Sequence, residues 1–257
     1  DHRGLEALPK FNQQVHIMRH ARGPYWVKKY YLRFRRWYTN HFRGPACDTL
    51  GDYHAFMAPW FTHISGPNIS IGKCATVVAE RDAWVRIGVW GLEPGEGSIT
   101  IGDYVMISPG TRISACEAIN IGHSVMMANG VYITDSDWHG IYDRTKRDDN
   151  ARPVNIADNV WLGDHCTILK GVSIGENSIV AARAVVSKDV PENVIVAGNP
   201  AQVVKQLDPE KGFVRRAEFF ARPAELESFH DAVDRMVLQE NGFFNWLRAL
   251  FFPARGD

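Results

Sequence analysis

Aliphatic residues recur at every sixth position in three runs: Ile101, Ile107, Ile113; then Ile121, Met127, Ile133; then Ile156, Leu162, Ile168, Ile174, Val180, Val186. Neither the 3.6-residue helical period nor the two-residue alternation of a half-buried strand produces this spacing. A small residue follows the aliphatic one in Ile101-Gly102, Ile121-Gly122, Ile156-Ala157, Leu162-Gly163, Ile174-Gly175 and Val180-Ala181. Small or β-branched residues recur four places on, at Val105, Thr111, Val125, Val131, Val160, Cys166, Val172 and Ala184. Each hexapeptide reads as one short strand and a turn, so three of them make a triangular coil of ~18 residues whose aliphatic side chains point inward. Every coil then depends on its neighbours for burial and for backbone hydrogen bonds. The pattern begins at residues 69–75 and blurs over 85–97, where Gly91, Pro94, Gly95 and Gly97 predict a loop; two residues are inserted around Glu117 to Asn120.

The flanks differ from this centre. Three regions are expected: an aromatic and basic N-terminal extension over 1–63, the repeat domain over 64–205 with a loop near 134–153, and a helical C-terminal extension over 206–257. Residues 24–43 carry six basic residues, eight aromatics and no acid, and Val27, Tyr31, Phe34 and Tyr38 are expected to share one helical face. An apolar aromatic run covers residues 243–252. Such segments suit either packing within the protein or peripheral contact with an anionic membrane surface. The 29 basic and 29 acidic residues cancel, which argues against a whole-molecule footprint for nucleic acid. Cys47, Cys74, Cys116 and Cys166 are widely spaced without metal-ligand spacing, so reduced thiols and a cytoplasmic setting are expected. No charged-then-apolar leader begins the sequence, and no apolar run approaches the ~20 residues of a spanning helix.

Trp161-Leu162-Gly163, Val186-Ser187-Lys188-Asp189-Val190-Pro191 and Ala197-Gly198-Asn199-Pro200-Ala201 join the repeat in resembling the hexapeptide-repeat acetyltransferases. The likeness is to the galactoside, maltose and nodulation-sugar O-acetyltransferases, and it covers roughly residues 64–205. It implies an all-β core, a left-handed parallel β-helix with helical or irregular extensions, assembled as a homotrimer. It also implies acetyl-CoA as acyl donor, no metal, and a small-molecule or glycan acceptor bearing a hydroxyl. A membrane lipid or an amine is the alternative acceptor. The γ-class carbonic anhydrases share the fold and bind zinc through three histidines, but their closely spaced histidine pair has no counterpart here.

The repeat pauses from Ile133 to Ile156, where similar enzymes carry a loop and a catalytic histidine. His139 is therefore the candidate general base, since imidazole can take a hydroxyl proton near neutral pH. Asp135 or Asp137 is expected to orient its second ring nitrogen. Ser108, Glu117, Asn129 and Trp138 are the candidate acceptor contacts; Ser108 stands where the galactoside enzymes have asparagine, and Ala115-Cys116-Glu117 where they have an acidic pair. By position, Trp161, Gly163, Asp164, Ala181, Ala182, Ser187 and Lys188 match the residues along the pantetheine arm. Lys188, Lys205 or Arg183 would meet the nucleotide phosphates, although Ala181-Ala182-Arg183 replaces the common Gly-Ala-Gly and Gln202 replaces a common basic residue. His123 and His165 fall at solvent-facing turn positions, and His54 and His63 lie outside the clear repeat.

Overall fold

A computed structural model describes residues 23–147 and 150–252. The described residues fall into two compact units: residues 32–227, and residues 23–31 together with 228–252.

The larger unit is a three-faced parallel β-helix. One face stacks Thr49–Leu50, Ile69–Ile71, Ser98–Ile101, Ala118–Ile121, Val154–Ile156 and Ser173–Ile174. The second stacks Ala55–Met57, Thr76–Val78, Met106–Ile107, Met126–Met127, Trp161–Leu162, Ile179–Val180 and Val194–Gly198, after which Ala201–Gln206 returns antiparallel. The third stacks Thr62–Ser65, Val85–Val89, Arg112–Ala115, Tyr132–Thr134, Thr167–Ile168 and Val185–Val186. Successive strands visit the faces in turn, so each strand pairs with those one coil below and one coil above.

The sixfold period becomes three vertical columns. Ile101, Ile121, Ile156 and Ile174 are register partners on the first face; Ile107, Met127, Leu162 and Val180 on the second; Ile113, Ile133, Ile168 and Val186 on the third. All twelve are buried and form one core. Stacking brings corners close enough to exclude side chains: a Cβ on Gly122 would lie 2.5 Å from an Asp158 carboxylate oxygen and 2.8 Å from backbone. Polar ladders tie the corners together. Asn159 donates to Asn177 at 2.9 Å, and Asn177 to Asn193 at 3.0 Å. The carboxylates of Asp103, Asp158 and Asp189 accept backbone N–H groups of Lys73, His123 and Ser173 in adjoining coils.

Residues 90–97 form a loop between strands, and the chain leaves the coil again after Thr134 and rejoins it at Val154. Beyond the return strand the chain straps the edge between first and second faces. Arg216 donates to the Tyr104 carbonyl at 2.8 Å and to the Thr76 hydroxyl at 3.0 Å, and Phe220 stacks on Tyr104. Helices α1 (Tyr25–Tyr38), α2 (Arg216–Phe219), α3 (Pro223–Leu238) and α4 (Phe243–Phe251) supply the helical flanks. The face drawn through Val27, Tyr31, Phe34 and Tyr38 is not a uniform one: Val27 and Tyr38 are half-buried, while Tyr31 and Phe34 are exposed.

Candidate active site

The excursion leaves the third face after Thr134 and rejoins the first at Val154, so it sits on the edge between these two faces. Its base is rigid. Asp135 is fully buried, and its carboxylate accepts the backbone N–H groups of Cys116 at 2.7 Å and Glu117 at 2.8 Å. Burial pushes this carboxyl up from its ordinary value, against the opposing pull of those N–H donors. Arg152 N–H closes the loop on the Asp135 carbonyl at 2.9 Å. Trp138, in a left-handed backbone conformation at φ 67°, donates its indole N–H to the Thr134 hydroxyl at 3.2 Å and its backbone N–H to the Ser136 hydroxyl at 3.0 Å.

His139 projects from this turn and is exposed. Its Nδ1 lies 3.1 Å from the Arg144 carbonyl, an acceptor, so Nδ1 carries the proton and Nε2 presents its lone pair. An open depression of about 610 Å³ beside it is lined by Asp137, His139, Gly140, Ile141 and Arg144. Farther along the excursion, Arg147 reaches back to the 90–97 loop, donating to the Gly91 carbonyl at 2.8 Å and to the Trp90 carbonyl.

The roles expected of the two carboxylates need correction. Asp135 does not orient His139: its carboxylate is taken up by the buried N–H of Cys116 and the part-buried N–H of Glu117, at the corner where the repeat gains residues. Asp137 does not orient it either: its carboxylate pairs with Lys170 at 2.7 Å. The ring is held by the Arg144 carbonyl, a backbone atom with no side-chain signature in the sequence. Lys170, Arg144 and Arg147 were missed for the same reason, since each acts across a loop closure rather than through a motif.

The remaining candidates sort onto two edges of the prism. Trp138 and Glu117 share the first–third edge with His139, and Ser187 and Lys188 lie exposed on that edge one coil beyond Lys170. Ser108, Asn129, Gly163, Asp164, Ala181, Ala182 and Arg183 line the second–third edge. That column is continuous: the Asp164 carboxylate accepts Asn129 N–H at 3.1 Å, and Arg183 N–H reaches the Asp164 carbonyl at 2.7 Å. A Cβ on Gly163 would lie 2.7 Å from the Ala182 nitrogen, so only glycine lets these coils close. Ala182 and Arg183 are exposed, Ser108 is buried, and Trp161 stands outward on the adjoining second face. Lys205 is exposed on the return strand.

Residues 153–188, within this three-faced coil of sixfold columns, match the family model for the bacterial transferase hexapeptide (six repeats). The chain resembles acetyltransferases of that type. It is 36% identical over 155 residues to the probable acetyltransferase Rv3034c of Mycobacterium tuberculosis, a match covering 58% of this chain and 51% of that protein. It is 34% identical over 160 residues to the galactoside O-acetyltransferase of Escherichia coli, covering 62% and 64%. To the putative lipopolysaccharide biosynthesis O-acetyl transferase WbbJ of Escherichia coli it is 32% identical over 127 residues, covering 45% and 64%. The chain thus spans between half and two thirds of the length of these relatives.

Proposed function

We propose that the chain is an acetyl-CoA-dependent O-acyltransferase acting on a hydroxyl of a saccharide or glycoconjugate, built as a left-handed β-helix and working as a cyclic trimer. The observation that carries this reading is His139: exposed, lining the depression, with Nδ1 at 3.1 Å from the Arg144 carbonyl, which leaves Nε2 as the basic nitrogen. The relatives' names, a galactoside and a lipopolysaccharide O-acetyltransferase among them, support the acceptor class.

The second–third edge fits a pantetheine arm. Small residues there, Gly163, Ala181 and Ala182, leave backbone open to close approach, and Arg183 and Lys205 are exposed cations for phosphates. When bound, the coenzyme thioester would supply the acyl carbon and a thiolate leaving group. His139 Nε2 would take the proton from the acceptor hydroxyl as its oxygen bonds to that carbon, and would return it to the departing sulfur as the carbon–sulfur bond breaks. The Arg144 carbonyl would fix the tautomer and stabilise the imidazolium in between, the role an acid fills in a catalytic triad.

Because His139 and the arm-binding edge stand on different corners of one prism, we assign them to one groove between neighbouring subunits. In a closed three-fold ring the first–third edge of one copy faces the second–third edge of the next. The test is release of free thiol from acetyl-CoA against saccharide, lipid and amine acceptors. Turnover on a saccharide hydroxyl that His139→Ala abolishes would support the reading; turnover only on amines, or none on any acceptor, would overturn it.

A further inference from the structure

The flanking helices carry an aromatic surface that the proposed chemistry does not use. Along α1, Trp26, Tyr30, Phe34 and Trp37 recur at spacings of three and four and lie on one exposed face, Tyr30 at 63% and Trp37 at 52% exposure. Neighbouring rings touch along the stripe, Trp26 with Tyr30 and Phe34 with Trp37, and Trp37 stacks on His41 at 5.3 Å. Trp26 also meets Phe243 at 5.7 Å, which joins the stripe to α4, where Phe244 is 82% exposed and Phe251 and Phe252 point outward as well.

The charges on α1 are sorted. Lys28 and Lys29 pair with Asp234 and Asp231 of α3, and Arg36 pairs with Glu227, so these cations are spent on holding the two helices together. Arg33 lies on the aromatic stripe itself, exposed, and no carboxylate occurs between Pro24 and Arg43 or within α4. Trp and Tyr rings beside an arginine, with no acid among them, form a surface complementary to anionic headgroups over an acyl boundary. Residues 26–41 would extend it for about 22 Å at 1.5 Å per residue. Among the described residues no helix is long and apolar enough to cross a membrane.

We propose that the exposed aromatic face of the continuous helix α1 forms a peripheral docking surface for an anionic lipid bilayer, with Trp26, Tyr30, Phe34 and Trp37 entering the interface and Arg33 meeting lipid phosphates. The full chain would be floated with vesicles of phosphatidylcholine alone or mixed equally with phosphatidylglycerol, at low and high salt. Binding to the mixed vesicles at low salt, released by salt, is expected. Arg33→Gln should weaken it ~5-fold, the scale for one basic group at an anionic surface. A Trp26→Phe, Trp37→Phe double variant should keep the fold and the binding but lose most quenching by brominated lipid. No binding at low salt, equal binding to both vesicle types, or undiminished quenching in the double variant would overturn the proposal. So would a Phe34→Ser variant whose vesicle binding is unchanged while its oligomeric mass falls, because the stripe would then be a contact between copies of this chain.

Discussion

At the residue scale Asp135 and Asp137 have separate duties, and their variants should behave differently. His139→Ala removes an exposed side chain and one hydrogen bond to a carbonyl, so the melting temperature should hold while turnover falls ~100-fold or more. Circular dichroism beside a thiol-release assay checks both. Asp135→Ala instead strands the buried N–H of Cys116 and the part-buried N–H of Glu117 and should cost about 3 kcal/mol in chemical denaturation, with lost turnover following from a loosened loop. Asp137→Asn breaks a partly exposed ion pair with Lys170 and should change stability by less than about 1 kcal/mol. Two thiols supply a pH dependence. Burial pushes Cys166 up to about 12 and Cys47 up to about 11, so both remain protonated in the folded chain when the unfolded chain begins to ionise near 9. Their contribution is complete below pH 9 and is lost as pH rises toward 12. A Cys166→Ala variant should therefore show a shallower alkaline decline in melting temperature than the unchanged chain.

At the element scale the coil is a sum of columns, each sensitive to a different substitution. Ile133→Ala opens a fully buried position between Ile113 and Ile168 and should cost ~2–5 kcal/mol. Asn177→Ala removes two rungs of the asparagine ladder and should cost ~1 kcal/mol for each. Gly122→Ala places a methyl group against backbone at 2.8 Å and should destabilise although alanine favours most structure. The sixfold spacing makes these columns legible in the sequence, because burial at one position per turn leaves a direct mark on residue type. The insertion at Glu117 was legible too, as a break in count, but its partner was not. Asp135 lies 18 residues from Glu117 and one coil above it, and nothing in local spacing links an extra corner residue to a carboxylate in the next coil. The Arg144 carbonyl was hidden for a deeper reason: every residue has a carbonyl, and only the closed loop selects one. The basic run of α1 is expected either to pack within the protein or to meet an anionic membrane surface, and pairing engages Lys28, Lys29 and Arg36 with carboxylates of α3 while leaving them partly exposed.

At the scale of the whole molecule the two edges are the central issue. The candidate base lies on the first–third edge and the small-residue, cationic column on the second–third edge of the same prism, so one chain alone does not bring them into one groove. Subunit complementation tests this directly. His139→Ala disables one edge, and Ala182→Trp, at an exposed position, blocks the other without entering the core. Each variant alone should be inactive as a trimer. Mixed, unfolded and reassembled in equal amounts, they should regain about a quarter of the unmodified activity, because random order around a closed ring leaves that share of interfaces with both edges intact. Recovery near that level is the expected result. Mixed trimers that form, as native mass spectrometry would register, yet stay inactive would contradict it, and so would an active monomer in sedimentation.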